Sequence, residues 1–162
     1  MKDETKARLD AAMSNKEQQA KAAEAKSKET QREIDAFLAE FKELRTRVIR
    51  PVMVDISQYL QGRGHASEID EREEEVLPNR TRQNAEIRLW ITPNAQVAAR
   101  TPNHPSIGFT ANVHGKKIIV QASTMQPGRG GASSSKGEYS ISQITMDLVE
   151  KKIAEAVADI FK

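Results

Sequence analysis

From Ile34 to Leu60 the large apolar residues fall at Ile34, Phe37, Leu38, Phe41, Leu44, Val48, Ile49, Val52, Met53, Ile56, Tyr59 and Leu60. Steps of three and four place them along one stripe of an α-helix, which some other surface has to cover. Pro51 lies inside the stripe. Its ring removes one amide donor and clashes one turn back, which predicts a kink near Arg47–Arg50. Gly62 and Gly64 end the helix. Upstream, residues 1–33 offer only Leu9 and Met13 as large apolar side chains beyond the first residue. They are strong helix formers with no Gly or Pro, and Glu4–Arg8, Glu17–Lys21 and Glu24–Lys28 form Glu-to-basic pairs four residues apart. A heptad frame with Ile34 at position a puts Leu9, Met13, Lys16, Ala20, Ala23, Ser27, Thr30, Ile34, Phe37, Phe41, Leu44 and Val48 at the a and d sites. Two readings are open for residues 1–33: a solvated helix, or a thin coiled coil between chains, since Ala20 and Ala23 bury little area.

Beyond Gly64 the period changes from helical to alternating. His65–Glu75 reads as a highly charged edge strand, whose charges block unwanted pairing. Residues 76–84 read as a loop. Asn84–Thr92 alternates, with Ala85, Ile87, Leu89 and Ile91 on one face and Glu86, Arg88, Trp90 and Thr92 on the other. Pro93–Pro105 is a proline-rich loop. Ile107–Val113 and Lys117–Thr124 form a hairpin; a two-residue turn at Gly115-Lys116 pairs Val113 with Ile118, Ala111 with Val120 and Phe109 with Ala122. Gln126–Gly137 is low in complexity and is expected to be a mobile connection. A short strand at Glu138–Ile141 follows. Ser142 or Thr145 caps a last helix with the stripe Ile144, Leu148, Val149, Ile153, Val157, Ile160 and Phe161.

The fold class is therefore α+β. A long N-terminal helix kinked near Pro51 precedes a sheet of four or five antiparallel strands and a C-terminal helix, in a two-layer sandwich. The expected division is a projecting helical arm at 1–33, a coiled coil in the second reading, and a globular domain at 34–162. In outline, a long helix feeding a small α/β head is similar to the coiled-coil-plus-head arrangement of kinetochore subunits, a likeness of architecture that carries no function with it.

Composition narrows the chemistry. The chain of 162 residues carries 25 Lys and Arg against 23 Asp and Glu, so its charge balance alone does not point to nucleic acid. There is no cysteine, which excludes disulfides, thiolate metal sites and a cysteine nucleophile. No apolar run approaches a membrane span and no leader is recognisable, so a cytoplasmic location is expected.

Residue patterns that carry chemistry are weak. The glycines, serines and Lys136 of 128–137 miss the GxxxxGK[ST] spacing of a phosphate loop, although Arg129 and Lys136 stand where an anionic partner can be touched. His65, His104 and His114 have no metal-ligand spacing, and no metal, cofactor or catalytic residue is expected. Trp90, the single tryptophan, points to the polar sheet face together with Ile119 and reads either as a side chain packed beneath the 93–105 loop or as a partner-binding hot spot. Lys42, Arg45, Arg47 and Arg50 cluster on the helix but spread over more than half its circumference. The expectation is a non-enzymatic oligomeric scaffold or adaptor, a homodimer first, that associates through Leu9, Met13, Ile34, Phe37, Phe41, Leu44 and Val48. Its protein partner would meet Trp90, Ile119, Arg129 and Lys136. The alternative is a nucleic-acid-associated protein using Arg45, Arg47, Arg50, Arg63, Arg80 and Arg82.

Overall fold

The computed structural model describes residues Met1–Lys162. Contacts divide them into two compact units, Met1–Ala36 and Phe37–Lys162. The first unit is helical: α1 spans Asp3–Leu44 and begins with Asp3 and Glu4 against its positive N-terminal dipole. Residues 1–33 are exposed throughout, and two of the expected pairs close, Arg8 to Glu4 at 3.3 Å and Lys28 to Glu24 at 3.2 Å. No helix is long and apolar enough to cross a membrane.

In the second unit α1 gives way to a π-turn at Arg45–Ile49, followed by α2 at Arg50–Gly62 with Pro51 in its first turn. The Arg50 amide donates to the Arg45 carbonyl, five residues back. Sequence places the break at Arg47–Arg50; the structure resolves it as one wide turn just ahead of the proline. Widening moves the backbone away from the ring, and Pro51 then sits where a missing amide costs least. The same turn aims both Arg45 and Ile49 inward. At the far end Gly64 takes φ 83°, and the amides of Gly64 and His65 close onto the carbonyls of Gln61 and Leu60.

The sheet has five antiparallel strands, β1 Ala66–Arg72, β4 Glu86–Thr92, β5 Ser106–Asn112, β6 Lys117–Ser123 and β7 Ser133–Tyr139, in the order β1-β4-β5-β6-β7. Between β1 and β4, in the stretch expected to be only a loop, β2 (Glu75–Val76) and β3 (Arg82–Gln83) make a small separate hairpin turned by Arg80 at φ 64°. The charged edge strand stands as β1. Residues Ile87, Leu89, Ile91, Ile107, Phe109, Ala111, Ile118 and Val120 are completely buried on one face. Against this face lie α2 and α3, the latter Met146–Ile160, in a two-layer sandwich. Thr145 caps α3 by accepting from the Leu148 amide at 3.2 Å. Phe41, Ile49, Met53, Val149 and Ile153 supply the helical side of the core.

Three expectations are corrected. The β5–β6 register is Ala111 with Ile118, Phe109 with Val120 and Ile107 with Ala122, two residues from the expected one. The turn is Val113–Lys116; Asn112 Oδ1 accepts from the amides of His114 and Gly115, and Lys116 rather than Gly115 carries the positive φ, 51°. A shift of two preserves the face of every side chain, so the apolar pattern alone does not tell the two registers apart. The serine-rich stretch expected to be mobile is strand: Ser133, Ser134 and Ser135 pair with Ser123, Ala122 and Gln121. Only the turn before it, bridged from Gln126 to Gly130, remains a loop, and Ile141, expected to end the strand Glu138–Ile141, instead opens a 3-10 turn at Ile141–Gln143.

Candidate interaction sites

The open face of the sheet is built in rows by the strand registers. Glu68, Trp90, Ser106 and Ser123 stand in one row, Asp70, Arg88, Gly108 and Gln121 in the next, and Arg72, Glu86, Thr110 and Ile119 in the third. Glu86 is buried although it faces this side. Its Oε1 accepts from Arg88 Nη2 at 2.5 Å and from Thr110 Oγ1 at 3.0 Å, and Arg72 Nη2 lies 3.6 Å from Oε2. Burial alone pushes the Glu86 carboxyl up; the hydrogen bond and charge of Arg88, the charge of Arg72 and the Thr110 hydroxyl outweigh it and hold the group below its usual range. Arg88 Nη1 donates to Ser106 Oγ at 2.8 Å, and its guanidinium lies 5.6 Å from the Trp90 ring. Gly108 makes room for this: a Cβ there would stand 2.6 Å from Arg88 Nη2. The network gives an ionised carboxylate with two donors on Oε1 and a guanidinium beside Oε2, which makes a polar platform and not a proton donor near neutral pH.

Trp90 is half-buried, and its indole nitrogen is buried without a hydrogen-bond partner. The 93–105 loop is tied down beside it: the Ala99 amide donates to Thr92 Oγ1 at 2.9 Å, and Arg100 lies 3.5 Å from Glu68 and 3.4 Å from Asp70. Ile119 is also half-buried but lies two rows and two strands away, roughly 16 Å at ordinary strand spacings, so the two do not form one patch. Beside Arg88 a cleft of about 240 Å³ is lined by Gln121, Ser123, Ser133 and Ser135.

The two remaining partner-site candidates separate. Arg129 is exposed in the Gln126–Gly130 turn. Lys136 is engaged within the chain, its Nζ 3.1 Å from Asp159 Oδ2. The hydrogen bond from Lys162, together with that from Lys136, holds the Asp159 carboxyl below its usual range.

Of the self-association candidates, Ile34, Phe37, Phe41 and Leu44 are buried within the single chain. Leu9 and Met13 remain 49% and 57% exposed, and Val48 is half-buried. Val48 lines an open apolar cleft of about 490 Å³ with Ala39, Leu44 and Ile141, edged by Glu40, Glu43 and Arg47. The chain's own core thus covers the greasiest part of the heptad frame.

The arginines of the nucleic-acid reading are mostly answered by carboxylates. Arg45 is 3% exposed; it donates to the Arg72 carbonyl at 3.2 Å and to Glu73, lies 3.8 Å from Glu71 and stacks on Phe41. Arg50 pairs with Glu71, Arg82 with Glu74 and Arg47 with Glu43, at 2.8, 2.8 and 3.0 Å. Arg63 lies over the Tyr59 ring and Arg80 turns the β2–β3 hairpin. These six do not make the uninterrupted positive stripe that phosphate tracking requires. The sequence shows the charge of Glu71, Glu73 and Glu74; Glu71 and Glu73 meet Arg45 and Arg50 because β1 lies beside the π-turn, and Glu74 meets Arg82 across the β2–β3 hairpin, contacts that no local spacing encodes.

Compared with protein-family models, with curated proteins and with solved structures, the chain matches none of them.

Proposed function

We propose that this protein is a non-enzymatic oligomeric adaptor of the cytoplasm, which self-associates through its N-terminal helix and presents the α/β head to a protein partner. One observation carries the reading. Residues 3–33 are helical yet exposed on every side, with Leu9 and Met13 uncovered. A helix that is polar nearly all round draws little stability from its own chain, and the cover it lacks is supplied by a copy of itself. Ala20 and Ala23 allow two such helices to approach closely, and the i,i+4 pairs keep the arm helical until they meet. On the head, the Trp90 platform and the Val48–Ile141 cleft are the surfaces offered to the partner.

Sedimentation equilibrium of the full chain at tens of micromolar tests this. Association is expected, and Leu9→Glu with Met13→Glu is expected to reduce it. A monomer at that concentration overturns the reading.

A further inference from the structure

The two edges of the sheet are treated differently. β1 carries Glu68, Asp70, Glu71 and Arg72, with Arg100 laid across the first two. β7 carries Ser133, Ser134, Ser135 and Gly137, and its three serines are exposed. The direction of its backbone follows from the ladder. The Ile91 amide donates to the Pro105 carbonyl and the Ala111 amide to the Ala85 carbonyl, at 3.0 and 2.9 Å. Hydrogen-bonded and non-bonded pairs alternate in an antiparallel sheet, so β5 uses Ser106, Gly108 and Thr110 toward β6, and β6 uses Ile118, Val120 and Ala122 toward β7. The Thr124 amide bonded to the Ala132 carbonyl at 3.0 Å continues the same phase. The backbones of Ser133, Ser135 and Glu138 therefore face outward as an unguarded edge.

We infer that this edge is a second self-association surface, where β7 pairs antiparallel with β7 of another copy about a two-fold axis at Ser134. That register opposes Ser133 and Ser135 twice, with their outward amides and carbonyls matched, and places Ser134 against itself. No like charges meet along the matched strand, where Lys136 falls opposite Ala132. It also points the turn carrying Arg129 in one copy toward the end of β7 that carries Glu138 in the other. Both residues are exposed. The irregularity after Ser135, where the β6–β7 register shifts between Val120 and Gln121, ends the matched stretch. This interface goes beyond the arm contact and is independent of it. Two different two-fold contacts on one chain build assemblies larger than a dimer.

Sedimentation of the full chain, with Ser135→Pro, Leu9→Glu/Met13→Glu and their combination, tests the inference. Ser135→Pro removes an outward amide, as edge strands tolerate, together with the hydroxyl that accepts from the Gly137 amide at 3.4 Å, and a retained thermal transition checks its fold. Ser135→Lys repeats the test with an edge guard like those of β1. The expected masses are larger than a dimer for the unaltered chain, a dimer for each separate variant, and a monomer for the combination. A mass unchanged by both Ser135 variants overturns the edge contact, even if the edge then holds an extended segment of another protein. A mass unchanged by the Leu9/Met13 pair overturns the arm reading and leaves the edge standing. Arg129→Glu and Glu138→Arg are each expected to weaken edge association several-fold and together to restore it; a double variant no better than the single ones overturns the axis at Ser134.

Discussion

Glu86 shows how a charged residue is kept on a half-buried sheet face. Its carboxylate gains two charge-assisted partners, and its ordinary-looking alternation with Ile87 gives no sign of this. Replacing it by Gln leaves Arg88 and Arg72 without their counter-charge, and a loss of about 2–3 kcal/mol in denaturant unfolding is expected. The pH dependence follows from the lowered pKa. The folded state binds the Glu86 proton more weakly than the unfolded state, so its stabilisation is present above the unfolded value near 4.5 and fades as pH falls through the lower folded value. Unfolding free energies measured from pH 7 down to pH 3 should fall less steeply for Glu86→Gln than for the unaltered chain. Gly108 belongs to the same network. Gly108→Ala drives a methyl group into the Arg88 guanidinium and Glu86 Oε1, and a loss of about 1–2 kcal/mol with an upward move of the Glu86 pKa is the expected result of unfolding and NMR titration.

The π-turn is the element on which packing depends. Because the frame slips at Arg45–Ile49, the stripe of α1 and that of α2 both reach one core, and Arg45 is carried into it with Glu71 and Glu73 around its head. Arg45→Ala strips a counter-charge from the end of β1 and opens a void beside Phe41; a cost of about 3 kcal/mol in thermal unfolding is expected. Arg45→Lys recovers little, since a single ammonium cannot reach both the Arg72 carbonyl and Glu73 as the guanidinium fork does. The apolar steps and Pro51 made the helix and its interruption legible. The kind of interruption was not, because a kink and a wide turn answer the same clash. The serine run was misread for a related reason. Ser133–Ser135 has neither alternation nor strand propensity, and it is strand because β6 offers a free ladder and Gly137 takes φ 120° after it.

At the scale of the whole molecule, the fold class was written in the change of period near Gly64, from three-and-four steps to alternation. The destination of the Phe37–Phe41–Leu44 stripe was not, since a heptad looks the same whether it faces another chain or its own sheet. The exposed arm and the covered stripe separate two roles that one heptad frame had merged. Leu9→Glu with Met13→Glu should lower the assembly mass while leaving the thermal transition of the α/β head within about 0.5 kcal/mol, as surface changes away from a core do.

Strand order has a consequence for how the chain reaches this state. Apart from the small β2–β3 excursion, every strand of β1-β4-β5-β6-β7 lies beside the one that precedes it along the chain, and α2 adjoins β1 in sequence as α3 adjoins β7. No strand has to be held open for a later one to insert between its neighbours. Loop closures stay short, so the entropy of bringing each pair together is spent in small steps that native contacts repay at once. During synthesis each strand of this sheet emerges after the neighbour it pairs with, and the unguarded β7 emerges last of the five, when β6 is already waiting for it.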